Sequence, residues 1–236
     1  MRIEDCNWMQ VERYLEGDDR LVVPLGSIEQ HGYLSLGVDR ILSERVSEEA
    51  AEPLGVLVLP SLPYGLTPYF AAYPGSPTLR VDTYRALLRD LLDSFTEQGF
   101  RRFLFVSGHG GNAGGRDAVD TWARGHGDCR AVWHDWWAGE RVRAVVAEID
   151  PEATHASWFE NFPWTRLPGV EQPRGRKPMA DVSRLRELDP SAVRELLGDG
   201  SLGGLYERPD EDVLRVWAAG VAEVRELIES GWDARG

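Results

Sequence analysis

Apolar residues fall along the chain in two patterns. Short unbroken runs flanked by turn residues, Leu21–Leu25, Val56–Leu59, Phe103–Val106 and Ala131–Trp133, predict strands buried on both faces. A longer amphipathic segment follows each run: Asp39–Ala51, Asp82–Gln98, Ala113–Gly125 and Trp137–Ile149. Asp82 is placed to cap the second of these helices and Gly99 to end it. Strand alternating with helix predicts an α/β fold, a mostly parallel central sheet flanked by helices on both faces. A short helix opened by Asp189-Pro190-Ser191 and reaching Leu197, a glycine-rich stretch over 198–212, and a terminal amphipathic helix, Val213–Ser230, complete the pattern. No linker, internal repeat or low-complexity tract divides it, so residues 1–236 read as a single domain. The stretch Ser61–Val81, rich in proline, glycine and aromatics, is too long for a plain connector, and such loops in compact domains often carry function.

Composition narrows the function classes. A hydrophobic content of 42% with 10% aromatics argues for a folded core. There is no apolar run of about 18 residues and hence no expected membrane span. The N-terminal MRIEDCNWMQ lacks a basic region followed by an apolar core, so a cytoplasmic protein is expected. The net charge of −13, from 39 acidic against 26 basic residues, weighs against nucleic acid as a partner. Cys6 and Cys129 fit no zinc or redox spacing and read as isolated thiols. GDGSLGG lacks the order of a dinucleotide loop, and no phosphate-binding P-loop, GxSxG elbow or cysteine–histidine motif occurs.

Ligands of open parallel sheets bind beyond the carboxyl ends of the strands. Two polar loops fall there: GSIEQHGYLSLGVD after the first run and SGHGGNAGG after the third. Together they bring Glu29, His31, Asp39 and His109 to one edge of the sheet. Residues i and i+2 of an extended segment share a side, roughly 6–7 Å apart at a rise of about 3.3 Å per residue. That spacing suits Glu29 and His31 to two metals about 3.5–4 Å apart, with Asp39 able to bridge them and His109 adding a nitrogen. Such mixed imidazole and carboxylate ligands suit zinc, manganese or iron, one or two per chain, better than magnesium or calcium. Plainer readings stand beside this one. Asp39 can serve as a helix N-cap, Glu29 and His31 as a surface pair, and the GHGGN turn as a backbone-bonded or phosphate-cradling turn. A third segment, THASWFEN, offers Glu160 to close a metal shell and His155 to shuttle protons. Trp158 and Trp164 are candidates for a pocket wall or for plain core. His126, at a helix end, reads as structural, and so does His134, though its place at a strand end is ambiguous.

Taken together, PLGSIEQHGYLSLGVD, FVSGHGGNAGG and HASWFEN resemble the creatininase (creatinine amidohydrolase) family, in the family's motif order, and the strand–helix alternation matches from about residue 8 to 230. The resemblance implies a three-layer α/β fold and a homo-oligomer, commonly a hexamer. It implies one or two divalent metals and hydrolysis of non-peptide C–N bonds in small molecules, often cyclic amides. Relatives also include a formamide deformylase acting on a pyrimidine nucleotide and a peptidase of mycofactocin maturation. Carried over by position, Glu29, His31, Asp39 and His109 match metal ligands with Asp39 bridging. Glu160 matches an acidic position that completes the shell, and His155 matches a histidine beside the substrate. The chain also departs from the family pattern. EQHGYLSLGVD is one residue shorter than the common EQHGPHLPxxTD, which makes Tyr33 a candidate for the substrate wall. Phe70 stands where many relatives have histidine, and Asn161-Phe162 follows Glu160 in place of Thr-Ser. Gly110 and Gly111 stand where creatininase itself carries tyrosine and glutamate, so creatinine is not the expected substrate, and the two backbone amides are candidates to orient another. The expected function is therefore metal-dependent amide hydrolysis with substrate held near Tyr33, Phe70, Gly110, Gly111 and Trp158. The alternatives are an inactive scaffold acting by assembly or ligand binding, a mycofactocin-type peptidase, and a nucleotide binder using the GHGGN turn.

Overall fold

The computed structural model describes residues 1–185 and 187–232. Its elements in chain order are α1 (Trp8–Leu15), β1 (Arg20–Leu25), α2 (Val38–Ala51), β2 (Leu57–Val58), α3 (Val81–Gln98), β3 (Arg102–Ser107), α4 (Arg116–Gly125), β4 (Arg130–Asp135), α5 (Glu140–Ile149), β5 (Arg176–Lys177), α6 (Val182–Leu185), α7 (Pro190–Leu197), β6 (Gly204–Leu205) and α8 (Asp210–Ser230). Strands β1 to β4 form one parallel sheet in the order β2-β1-β3-β4, and β5 and β6 pair antiparallel outside it.

The unbroken apolar runs have a simple cause: both faces of the sheet are covered. Leu21, Val23 and Leu25 of β1 join Phe103 and Phe105 of β3 in a core packed under α1, α3 and α4. The alternate positions Val22, Leu104 and Val106 face the other way, into a core with α2, α5 and α8. The register sets Leu21 beside Phe103 and Val23 beside Phe105, so the two central strands present matched apolar rows to each layer.

Several element ends differ from the sequence expectation. Helix α3 begins at Val81 with Arg80 as its N-cap, and Asp82 lies inside the first turn, where its charge faces the positive end of the helix dipole. Gly99 ends that helix in the left-handed conformation as expected, with φ of 114°. Helix α4 starts at Arg116 because residues Gly110–Gly115 wind as a tighter 3-10 turn, and α5 starts at Glu140 after a similar turn at Trp136–Ala138. Helix α1 was not anticipated, although its signature is local: Asn7 accepts from the Gln10 backbone and Gln10 returns the bond to Asn7.

Two glycines let the layers close over the strand ends. A Cβ on Gly108, just beyond β3, would overlap the carbonyl oxygen of Asp39, and one on Gly26, just beyond β1, would overlap the backbone of Arg40. The first turn of α2 therefore lies directly on the carboxyl edge of the sheet, beside the loop that follows β3. Among the described residues no helix is long and apolar enough to cross a membrane.

Candidate metal centre

Each main strand delivers something to that edge. The loop after β1 brings Glu29 and His31, and α2 returns Asp39 in its first turn. The segment after β2 brings Leu66 to Phe70, the loop after β3 brings His109, and the turn after β4 brings Trp137. His155 and Glu160 approach from outside the sheet, on a loop and 3-10 turn at Trp158–Glu160.

Asp39 sits at the middle of the cluster. Its Oδ1 lies 3.1 Å from Nε2 of His31, and its Oδ2 lies 2.9 Å from Nδ1 of His109. Glu29 Oε1 is 3.2 Å from the same His109 nitrogen, and Glu160 Oε2 is 3.7 Å from His31 Nε2. Three overlapping donor sets result: Glu29–His31–His155, and two that share Asp39, Glu29–Asp39–His109 and His31–Asp39–Glu160, each with its ligand atoms within 4.8 Å of one another. The two that share Asp39 meet at one carboxylate, whose Oδ1 faces His31 and whose Oδ2 faces His109. Glu29, His31 and Asp39 are almost completely buried.

The far side of each imidazole shows what belongs between these groups. His31 Nδ1 lies 3.1 Å from the backbone oxygen of Glu29, and His109 Nε2 lies 2.9 Å from that of Leu66. A carbonyl only accepts, so each of these nitrogens carries the hydrogen. The opposite nitrogen then presents a lone pair, and it points at carboxylate oxygens. Acceptors facing acceptors at about 3 Å in a buried site require a cation between them, and backbone carbonyls that fix the tautomer in this way are the usual support of metal-bound histidines. Glu29 Oε2, buried with no hydrogen-bond partner, is a further donor atom without an occupation in the protein itself. The residues present thus fit a pair of divalent cations.

The proton affinities agree. Burial would depress the His31 ring, but the Asp39 and Glu160 carboxylates outweigh it and push the ring up to about 10. The same contest, with Glu29 and Asp39 as partners, leaves His109 well above its ordinary value. Burial would raise Asp39, yet His31 and His109 hold it below the usual carboxylate range. Burial raises Glu29, and it pushes Glu160 up to about 7. The carboxylates thus favour positive charge at both imidazole positions. His155 differs: burial, and then the nearby His31, drive it well below neutrality, so its ring is uncharged. His155 Nε2 lies 2.8 Å from both the backbone oxygen and the side-chain nitrogen of Gln30, so either tautomer of the ring finds a partner.

A cavity of about 1020 Å³ opens from this cluster. Glu29, Asp39, His109, His155 and Glu160 line its inner end, and the expected Phe70, Gly110 and Gly111 lie on its wall. Phe70 stacks on the His155 ring at 4.7 Å between centroids. Two expectations fail. Tyr33 packs edge-on against Tyr206 and does not reach the cavity, and Trp158 is fully buried in the α8-side core. Their places on the wall are taken by Trp137 and Phe159. Trp164 also lies off the cavity, stacked on Phe162 beneath the guanidinium of Arg45. The N-cap of α2 is Gly37, so Asp39 is free of capping and faces the imidazoles. The two remaining histidines stay outside the cluster: His126 stacks on Trp122, and His134 lies in β4, one residue before its end. The sequence reading also missed two supports. Ser27 donates to Asp39 Oδ2 at 2.8 Å, and Asn112 ties Gly26 to Leu66 by one bond to each, joining the segments that follow β1, β2 and β3. Both residues lie inside motifs already noted, one before Glu29 and one after His109.

Gly111 cannot supply the second carboxylate of the cluster. A Cβ there would overlap the Leu66 carbonyl and the His109 ring, so position 111 itself has no room for a side chain with the backbone as it stands. Glu160 fills the role from the opposite side, steadied by the Ala156 backbone N–H, which donates to its Oε2 at 2.6 Å. To aim that N–H, Ala156 adopts φ of 56°, a left-handed conformation rare outside glycine.

A parallel three-layer sheet with two cation-seeking donor sets joined by one carboxylate at its strand ends defines a class of α/β metalloproteins. Within it, the chain belongs to the creatininase family of enzymes: the family model described as creatinine amidohydrolase matches residues 4–232. A creatinine amidohydrolase of Pseudomonas putida is 29% identical over 163 residues, 64% of this chain and 63% of that protein. A 3-dehydro-scyllo-inosose hydrolase of Thermotoga maritima is 30% identical over 103 residues, 43% of this chain and 33% of that protein. The chain thus spans less than two thirds of either relative's length. The crystal structure of a creatinine amidohydrolase superposes with a TM-score of 0.79 at 23% identity, covering 99% of this chain and 98% of that one, a likeness of fold. Solved creatininases of the same fold include a manganese form and a zinc–zinc type.

Proposed function

We propose that the chain is a divalent-metal-dependent hydrolase of a non-peptide C–N bond, such as a cyclic amide or formamide, with the complete site in one domain over 1–236. The observation that carries this reading is the pair of donor sets sharing Asp39, with each imidazole held so that a lone pair faces the carboxylates. Glu29, Asp39 and His109 would hold one cation, and His31, Asp39 and Glu160 the other. Zinc or manganese suits these nitrogen and oxygen donors, as does iron. When bound, such cations supply a water of lowered pKa and polarise the substrate carbonyl.

The protein's own groups do the rest. Asp39 keeps the two halves of the centre in register, and Ser27 fixes the orientation of its carboxylate. His155 is uncharged, lines the cavity, and points Nδ1 toward Glu29 Oε1 at 3.6 Å. A neutral imidazole there can take a proton at Nδ1 and return it to the departing nitrogen. The Gln30 backbone carbonyl accepts from Nε2–H throughout, so the ring keeps its orientation whether or not Nδ1 carries the extra proton. The stacked Phe70 restricts rotation of the ring and excludes water from that side. The carboxylates beside the GHGGN turn weigh against an anion there, and with it against the nucleotide reading.

This reading extends to a cytoplasmic homo-oligomer, by resemblance a hexamer, which sedimentation would check. The decisive experiment measures metals in the purified protein and then hydrolysis of cyclic amides, formamides, guanidino compounds and short peptides before and after chelation. About two divalent metals per chain and a chelator-sensitive activity are expected. A protein that takes up no metal and hydrolyses a substrate equally well in chelator would overturn the assignment.

A further inference from the structure

The cavity changes character abruptly beyond the metal centre. Every charged side chain among its described lining residues belongs to the donor cluster or is His155, and neither lysine nor arginine is among them. The hydroxyls of the lining threonines are already engaged: Thr67 donates to Pro77 at 2.9 Å, Thr78 to Leu79 at 3.2 Å and Thr154 to Gly203 at 2.6 Å. What remains on the walls is mostly apolar. Leu66, Pro68, Phe70 and Leu79 come from the long segment after β2, and Trp137 and Phe159 close the opposite side. Leu185 and Leu202 reach in from the region of α6 and β6. The apolar surface continues to the mouth, where Tyr69, Val81 and Val182 line the cavity and are exposed to solvent. At about 1020 Å³ the space is at the upper end of what drug-sized ligands occupy.

We infer that the substrate is a neutral amide carrying a bulky apolar substituent, its C–N bond at the carboxylate-rich end and its tail along the Phe70–Leu202 wall, and that phosphate-bearing or otherwise anionic tails are excluded. This inference rests on the hydrolase reading above. Its physical basis is separate. An apolar tail gains from removal from water along its whole length, whereas an anionic group along the same walls loses its hydration and meets no lysine or arginine among the described lining residues. The walls offer polyhydroxylated molecules little more, since the lining threonine hydroxyls are spent on the backbone and the Trp137 Nε1–H is the one buried side-chain donor on the described walls left without a partner.

The test uses a series of neutral anilides, from acetyl to hexanoyl, and a hexanoyl anilide ending in a phosphate monoester. Binding to the chelated protein is followed by calorimetry, and hydrolysis is followed separately in the metal-loaded protein. Affinity should rise about fourfold per added methylene, with a negative heat-capacity change that marks apolar burial. The phosphate-bearing member should bind at least tenfold more weakly than its neutral counterpart. Val182→Asp, at a solvent-exposed position that tolerates the charge, and Leu202→Asp should both flatten the dependence on chain length, with folding checked by circular dichroism. Affinity independent of chain length, or tighter binding of the phosphate-bearing member, overturns the inference. The two readings fail separately: hydrolysis without a chain-length dependence removes this one alone, and chain-length-dependent binding without metal uptake or hydrolysis removes the hydrolase.

Discussion

Replacing Asp39 by asparagine keeps the outline of the side chain and removes its charge. Asp39 belongs to both donor sets, so the change should empty both, whereas loss of either histidine should empty only one. Metal at a hundredfold its dissociation constant stabilises a protein by about 2.7 kcal/mol per site. Two independent sites therefore contribute about 5 kcal/mol. In a chain of this length each kcal/mol moves Tm by about 2–4 °C, so the parent should melt roughly 10–20 °C higher with metal than with chelator. Asp39→Asn should melt at the same temperature in both conditions. His31→Gln and His109→Gln should each keep about one metal per chain and about half of the increment. The asparagine variant should also be less stable than the metal-free parent by about 3–5 kcal/mol, because two buried imidazoles lose their shared partner. Elemental analysis gives the stoichiometry, melts with and without chelator give the increment, and circular dichroism confirms the fold. If Asp39→Asn holds two metals and keeps the full increment, the shared-carboxylate arrangement is wrong.

Three further perturbations test separate parts of the argument. Gly111→Ala should push Leu66 and His109 apart, costing about 1–3 kcal/mol in urea denaturation and lowering the metal content; a variant with unchanged metal would show that the turn has slack. Ala156→Gly should change Tm little, since relief of about 1–2 kcal/mol of left-handed strain is offset by about 0.5–1 kcal/mol of glycine entropy, whereas Ala156→Val should clearly destabilise, and a valine variant as stable as the parent would remove the strain. Asp18, which accepts from the Arg20 side chain and backbone and from Arg102, is held below the usual carboxylate range despite burial that would raise it. Its folded value is thus depressed: its contribution is present above the unfolded value of about 3.9 and is lost as pH falls through the folded value. Asp18→Asn should cost about 1.5–3 kcal/mol at pH 7, and the difference from the parent should shrink under acid; a difference that persists there would place the cost elsewhere.

The parts of this fold visible in the sequence are those where one cause dominates. Strands β1 and β3 are buried on both faces, so their apolar runs are unbroken, and Gly99 terminates α3 because a left-handed residue is needed there. Strand β2 is shorter than its apolar run because only Leu57 and Val58 pair with β1. The convergence of Glu29, His31, Asp39 and His109 is legible because strand ends of a parallel sheet converge, and a histidine or carboxylate in each loop meets its neighbours whatever the loop's exact path. The walls were not. Trp158 and Phe159 are adjacent aromatics in one 3-10 turn, and which of them faces the cavity depends on the angle at which that turn docks on α8, a property of the tertiary packing. Tyr33 was misplaced for the same reason, since its partner Tyr206 lies far along the chain. Asp82 looked like a cap because it precedes an apolar pattern, yet the helix gains one more turn residue at Val81 before it.

Leu66 illustrates a constraint on how such an enzyme can diversify. Its carbonyl orients His109, its amide is held by Asn112, and its side chain lines the cavity. One residue therefore touches both His109 and the cavity, and a shift of backbone at this point alters both. Freedom to accept new substrates lies instead at positions that touch the cavity without touching the centre: Tyr69 at the rim, Val182 and Leu185 of α6, and Leu202. Laboratory evolution toward new amides should accumulate changes there and leave Leu66 and the glycines around His109 in place.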